Sequence, residues 1–303
     1  MKKVNRGLNS IFTVAEEMVK TNGEDCFYHD VAGDNFIIAV FDGLGGSGSK
    51  KYANYSGKTG AYIASRAVCG GVREWFIKSY KHEELYKYIQ DSLEVCQKYA
   101  DPSGRIKGSL GKPFPTTAAI ITGKTIKDKT DITCFWAGDS RCYMLDKQGL
   151  HQLTEDDLDG QDAMSNLTDD GVMTNVINAS TDFKLHAKRI SIDHPCILLS
   201  ATDGCFGYLK SPMHFEHLIT SSLIESRSVL EWKHKLNEKI FEVTGDDYTL
   251  SAAVCGFEDS FNSIKSAFVK RALLVKSEYI NPQYDINSLW GVYKKDYSMY
   301  LET

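Results

Sequence analysis

The chain has 303 residues, 25% of them charged, a formal net charge of −5 and eight cysteines. That length holds one large domain or two small ones, and without any block of Lys or Arg the mild acidity argues against a nucleic-acid partner. No apolar run reaches the roughly 18–20 residues of a membrane span, no apolar stretch follows the basic start MKKVNRGLNS, and no C-x-x-C pair occurs, so the expectation is a cytoplasmic protein with no membrane partner and with cysteines acting as small buried hydrophobes.

Ile11–Val14 and Cys26–Val31 read as strands on either side of a turn, Thr21-Asn22-Gly23-Glu24-Asp25. A second turn, Gly33-Asp34-Asn35, joins Cys26–Val31 to the apolar strand Phe36–Phe41 as a hairpin. Centring that turn between Gly33 and Asp34 places Asp25 directly across from Asp42, with about 4.5–5.5 Å between their Cβ atoms. Two like charges so opposed are destabilising unless a cation lies between them. After Asp42 the run Gly43-Leu44-Gly45-Gly46 offers bare backbone that a ligand can approach closely.

Ser49–Val68 reads as a helix with Ala53, Gly57, Ala61, Ala64 and Val68 on one face, and Val72–Tyr99 as helix with a break near Tyr80-Lys81-His82. Asp101–Pro115, with three prolines and three glycines, reads as an exposed loop. Thr116–Thr122 is a strand; Ile132–Ala137 and Cys142–Leu145 make a tight hairpin with Asp139 at its tip. Residues 146–189 are polar and rich in Asp (156, 157, 159, 162, 169 and 170), either a binding flap or a decorated surface loop. Cys196–Ala201 is a buried strand breaking into Thr202-Asp203-Gly204. Helices follow at Ser211–Leu223 and Ser226–Val243, then Asp246-Asp247 before a last strand, Thr249–Phe257. A helix from Glu258 to about Ser277 and a tail carrying Tyr279, Tyr284, Trp290, Tyr293, Tyr297 and Tyr300 complete the chain; the aromatics either pack back on the domain or dock a partner.

Three strands thus end in an acid (Asp42, Asp139 and Asp203), and two begin just after one (Asp25 and Asp246-Asp247). In an antiparallel arrangement those ends and starts share one edge. Four or five carboxylates in a partly dry cleft cannot all ionise without positive charge nearby, and no Arg or Lys cluster flanks these motifs. All-oxygen ligation of that kind suits Mg²⁺ or Mn²⁺, and few carboxylates with many waters suit two-metal hydrolysis at phosphorus. A nucleotide P-loop at Gly43–Lys51 is a poorer reading, because its lysine is one place late and Asp42 would repel a triphosphate. His214 and His217, one helical turn apart, lack a third ligand and read as surface residues.

The ordered set Asn22-Gly23-Glu24-Asp25, Val40-Phe41-Asp42-Gly43-Leu44-Gly45-Gly46, Gly138-Asp139-Ser140-Arg141, Ala201-Thr202-Asp203-Gly204 and Asp246-Asp247-Tyr248-Thr249 resembles the metal-dependent (type 2C) serine/threonine protein phosphatases, in a bacterial-like branch. Leu153-Thr154-Glu155-Asp156 fits a further segment of that family. The resemblance implies an α+β fold, a four-layer α-β-β-α sandwich of two stacked antiparallel sheets flanked by helices. It implies one catalytic domain over residues 1–257 with a flap at about 146–189, and a C-terminal helix and tail at 258–303 packed on the same domain.

For the site, the resemblance implies that Asp25, Asp42, Asp203 and Asp246 hold two Mn²⁺ or Mg²⁺ ions, directly or through water, with the Gly43 carbonyl as a further ligand. Asp139 matches a position that helps bind a third ion, and Glu24 a residue standing behind the ligands. The implied activity is hydrolysis of phosphoserine or phosphothreonine in a protein, a kinase or its target, by a metal-activated water. A phosphatase-like module that binds phosphoproteins without turnover is the alternative. Three positions depart from the family pattern: Lys20 stands where an Arg usually grips the substrate phosphate, Leu44 where many members have His, and Gly207 where an acid is common. Lys keeps the charge for phosphate but lacks the bidentate fork.

Overall fold

The computed structural model describes residues 7–100, 114–126, 129–160, 162–167, 171–180, 183–280 and 283–301. The loop expected at Asp101–Pro115 lies outside them as far as residue 113, as do Asp169 and Asp170. In chain order the strands are β1 Leu8–Glu16, β2 Cys26–Ala32, β3 Asn35–Phe41, the short pair β4 Lys51–Tyr52 and β5 Lys58–Thr59, β6 Ala118–Ile126, β7 Lys129–Ala137, β8 Arg141–Leu145, β9 Leu150–Gln152, β10 His186–Ile192, β11 Cys196–Ala201 and β12 Tyr248–Cys255. The helices are α1 Gly45–Gly48, α2 Gly60–Lys78, α3 Leu85–Ala100, α4 Pro212–Ile224, α5 Val229–Phe241, α6 Phe261–Leu274 and α7 Ile286–Tyr297.

Two five-stranded antiparallel sheets carry the fold, one in the order β1-β12-β11-β8-β9 and the other β10-β7-β6-β3-β2. Alternation along each strand sorts the apolar side chains into layers. Phe36, Ile38 and Val40 of β3 face Met144 of β8, Leu198 of β11 and Ala253 of β12 between the sheets. The intervening residues Ile37, Ala39 and Phe41 face outward onto α2 and α3, where Trp75 and Ile89 are buried. On the opposite outer face, Phe215 of α4, Trp232 of α5 and Phe268 of α6 cover β1, β8, β11 and β12. The result is the α-β-β-α sandwich that the family resemblance implied, in the α+β class.

The expected register of the first hairpin holds: Cys26 pairs with Phe41 and Ala32 with Asn35, so the next residues outward are Asp25 and Asp42. Elsewhere local signals misled. Ala137 and Cys142 are not partners in a hairpin, because β7 pairs with β6 and β10 while β8 pairs with β9 and β11. Gly138-Asp139-Ser140 instead carries the chain from one sheet to the other, with Gly138 at φ +94°.

No helix runs over Ser49–Val68. The left-handed Ser56 and Gly57, φ +55° and +78°, break the backbone, and α2 starts only at Gly60 behind its cap Thr59, whose side chain accepts from the Tyr62 N–H. The helix then runs on to Lys78, and the break expected near residue 80 separates it from α3. The polar 146–189 stretch contains β9, and its last residues are the start of β10. Beyond β12 come α6 and α7, and Trp290, Tyr293 and Tyr297 of α7 are buried against the domain while Tyr284 is exposed. Among the described residues no helix is long and apolar enough to cross a membrane.

Candidate active site

Five loops meet at one end of the sandwich. Asp42 follows β3 directly, and its carbonyl accepts the Thr117 N–H at 2.8 Å and the Thr116 hydroxyl at 2.7 Å. Gly43 bridges to Thr116; a Cβ there would lie 2.4 Å from the Ala61 carbonyl oxygen and 3.0 Å from that of Glu24, so glycine is required by close approach of the α2 start. Asp25 sits just before β2, its Oδ2 accepting the Thr202 hydroxyl at 2.8 Å. Thr202 also accepts the Thr249 N–H at 2.9 Å, which locks the end of β11 to the start of β12. Asp203 begins the turn after β11, and a Cβ on Gly204 would come within 2.0 Å of the Asp247 carbonyl oxygen.

The electrostatics tie the loops together. Loss of solvent and the charge of Asp203 push the Asp25 carboxyl up to about 8, against hydrogen bonds that lower it. Asp139 is also pushed up to about 8, by loss of solvent and then by Asp203 and Asp156. Asp42 is raised well above its ordinary value by burial and by Asp203, Asp25 and Asp139. The charges of Asp203, Asp25 and Asp139 thus converge on its buried carboxyl, and so many carboxylates in a dry site cannot all ionise without positive charge among them. Asp246 is exposed and also raised, by loss of solvent and by Asp203 and Asp247. Asp203 is therefore the common neighbour of Asp25, Asp42, Asp139 and Asp246.

Glu24 stands behind this group. Its side chain accepts the Thr59 hydroxyl, its carbonyl accepts from Ser65 at 2.5 Å and Arg66 at 3.3 Å, and its N–H donates to Asp247 Oδ2 at 2.7 Å. Burial raises its carboxyl. The other oxygen of Asp247 takes the Met18 N–H at 2.7 Å, so this residue fastens the whole turn between β1 and β2. Thr202, Thr59 and Ser65 were not anticipated; only the Thr-Asp-Gly sequence around Asp203 hinted at the first. Lys20 is exposed in that same turn, which Lys58 braces through the Thr21 carbonyl and Asn22. Leu44 donates its N–H to the Pro115 carbonyl at 3.2 Å, and Gly207 donates to the Asp203 carbonyl at 2.6 Å.

The donor set fits hard divalent cations, since carboxylates outnumber every other side chain at the rim. Among the described residues no group of three or more His, Cys, Asp or Glu side chains is arranged to hold a metal ion on its own. Mg²⁺-like ions keep several waters and take only one or two carboxylates, so a rim of spaced acids is compatible with them. The P-loop reading does not survive: the four-residue helix Gly45–Gly48 is formed by the glycines themselves and ends before Lys50, which lies over the Tyr52 ring. His214 spends its Nδ1 on Ser211.

Solved structures with the same architecture are phosphatases. The catalytic domain of the serine/threonine phosphatase PstP, in complex with two manganese ions, is 17% identical, with 81% of this chain and 97% of that one covered at a TM-score of 0.54. Stp1 from Staphylococcus aureus is 15% identical over 84% and 97%, TM-score 0.58. MsPP from Mycobacterium smegmatis, in complex with cacodylate, is 15% identical over 82% and 98%, TM-score 0.55. None of the curated proteins compared matches the chain significantly. Residues 17–239 match the protein phosphatase 2C family, a span that takes in Asp25, Asp42, Asp139 and Asp203 and stops just short of Asp246. With the two-sheet sandwich and the acids gathered at its end, that match places the chain in the protein phosphatase 2C family.

Proposed function

We propose that the chain hydrolyses phosphoserine and phosphothreonine in proteins, with Mn²⁺ or Mg²⁺ held at the acid rim. Asp25, Asp42, Asp203, Asp246 and the Gly43 carbonyl would hold two ions, and Asp139 would contribute to a third. When bound, the ions supply an activated water and neutralise charge at the phosphorus. The chain's own residues do the rest. Thr202 fixes the Asp25 carboxylate, Asp247 and Ser65 fix the peptide of Glu24, and the tight approach of Gly43 to α2 aims its carbonyl. Lys20 supplies a positive charge for the substrate phosphate. Water adds to phosphorus and the serine or threonine oxygen leaves with a proton, giving free phosphate and the unmodified side chain.

The observation that carries this reading is the gathering of Asp25, Asp42 and Asp139 around one common neighbour, Asp203, with Asp25 and Asp42 set side by side by the β2–β3 register. A cation among these carboxylates removes the repulsion. The two manganese ions of PstP, a protein of the same fold, support that choice. The test is hydrolysis of a phosphothreonine peptide and of p-nitrophenyl phosphate with Mn²⁺ and with excess chelator. Turnover of both that stops on chelation is expected; turnover indifferent to chelation would overturn the metal assignment, and binding of the peptide without turnover would overturn the reaction.

A further inference from the structure

The C-terminal helices α6 and α7 lie beyond the residues matched to the family. We propose that α7 is this chain's anchor for the segment 162–167, holding it beside the acid rim through Asp162 and so setting how well a phosphorylated protein, as opposed to a small ester, is bound; this rests on the function proposed above.

Asp162 is shared between the two regions. Its Oδ2 accepts from Trp290 Nε1 at 3.1 Å and from Lys294 Nζ at 2.8 Å, both on α7. Its Oδ1 accepts the backbone N–H groups of Met164 and Ser165, each at 3.0 Å, and so shapes the turn that follows. One residue further on, Asn166 Nδ2 donates to Asp156 Oδ2 at 2.8 Å. Asp156 in turn holds Arg141 through Nε at 2.9 Å and Nη2 at 2.7 Å, and both side chains are almost wholly buried. Arg141 follows the Asp139 turn by two residues, and Asp156 acts on Asp139 through its charge.

The helix itself is firmly seated. Its buried face packs on the β8 sheet, Tyr297 lying 6.3 Å from Tyr143 between ring centroids, and the Asp296 carbonyl meets His151 Nδ1 of β9 at 2.7 Å. A rigid helix therefore reaches the rim through one carboxylate, one turn and one buried ion pair. A small aryl phosphate needs only the rim. A phosphoprotein also presents the residues flanking its phosphate, and these meet the segment that α7 holds.

The test is a Trp290→Phe/Lys294→Ala double variant, which keeps the ring packing and removes both α7 donors to Asp162. KM for a phosphothreonine peptide should rise about tenfold, the scale of one charge-assisted hydrogen bond, with kcat/KM for p-nitrophenyl phosphate unchanged. Lys294→Arg, which can still reach the carboxylate, should behave as the parent. Limited proteolysis should cut the double variant faster within 162–167. Equal losses on both substrates, or unchanged cleavage within that segment, would overturn the proposal. If the parent hydrolyses neither ester the phosphatase reading fails, while the proteolysis arm still decides whether α7 anchors the segment.

Discussion

Glu216 and Asp156 are buried beside arginines, whereas Asp25, Asp42, Asp139 and Asp203 are crowded against one another. Glu216, with no exposed side-chain surface, accepts Arg271 Nε at 2.6 Å, Nη2 at 2.8 Å and the Tyr293 hydroxyl at 2.5 Å. Asp156 has the Arg141 fork, Gln152 and Asn166. At the rim Asp25 accepts the Thr202 hydroxyl, but its charged neighbours Asp203 and Asp247 repel it. The fold thus gives each structural acid an arginine partner and sets the rim acids against one another. A carboxylate left uncompensated in a dry site is costly, so the difference marks where the proposed cations would supply charge.

Removing one acid of each kind separates the two roles. Asp203→Asn should lower turnover by more than the roughly 10–100-fold that loss of a residue behind metal ligands costs. Because it also relieves repulsion on four neighbouring acids, the metal-free protein should melt no lower than the parent. Steady-state kinetics beside thermal melts check both halves, and a destabilised, active variant would erase the distinction. Glu216→Ala should do the reverse, costing about 3–5 kcal/mol of stability by stranding Arg271, read from urea unfolding, with kcat little changed in the folded fraction.

Proton linkage sharpens the same contrast. Asp25 and Asp139 hold protons up to about 8 when folded, against 3.8 ordinarily. Between those values the folded chain carries more protons than the unfolded one, so stability falls as pH rises. The metal-free protein should therefore melt at lower temperature at pH 8 than at pH 5. Mn²⁺ should raise the melting temperature more at pH 8, where it need not displace protons. A Mn²⁺ shift that is larger at pH 5 would contradict the account of the rim.

Much of this contrast was legible in the sequence, because a carboxylate at the end of a buried strand leaves a local signature. The β2–β3 register followed from one turn, and it put Asp25 opposite Asp42. What escaped depended on tertiary partners. The Gly138-Asp139-Ser140 turn looks the same whether the chain folds back on its own sheet or crosses to the next, and only pairing of β8 with β11 decides. Ala53 and Gly57 happened to extend the four-residue spacing of α2 backward, though Gly57 has a positive φ that ends no helix but precludes one there. Trp290, Tyr293 and Tyr297 did stand at helical spacing, a signal overshadowed by the polar residues between them. The arginine partners of Glu216 and Asp156 are 55 and 15 residues away in sequence, beyond any local pattern.

The smallest effect is expected where neither treatment applies. Lys20 is exposed, in a turn held by Asp247 and Lys58 rather than by its own side chain. An exposed charge contributes up to about 1 kcal/mol, so Lys20→Ala should raise KM by no more than about fivefold and leave Mn²⁺ affinity and melting temperature alone. Lys20→Arg offers a planar fork in place of a point charge and should lower KM for the phosphopeptide if the turn already points at the phosphate. Titration of both variants with phosphopeptide at saturating Mn²⁺ decides it. Should Lys20→Ala change metal affinity instead, this lysine would belong with the charges that organise the rim, and the turn would be a partner of the acids and not of the substrate.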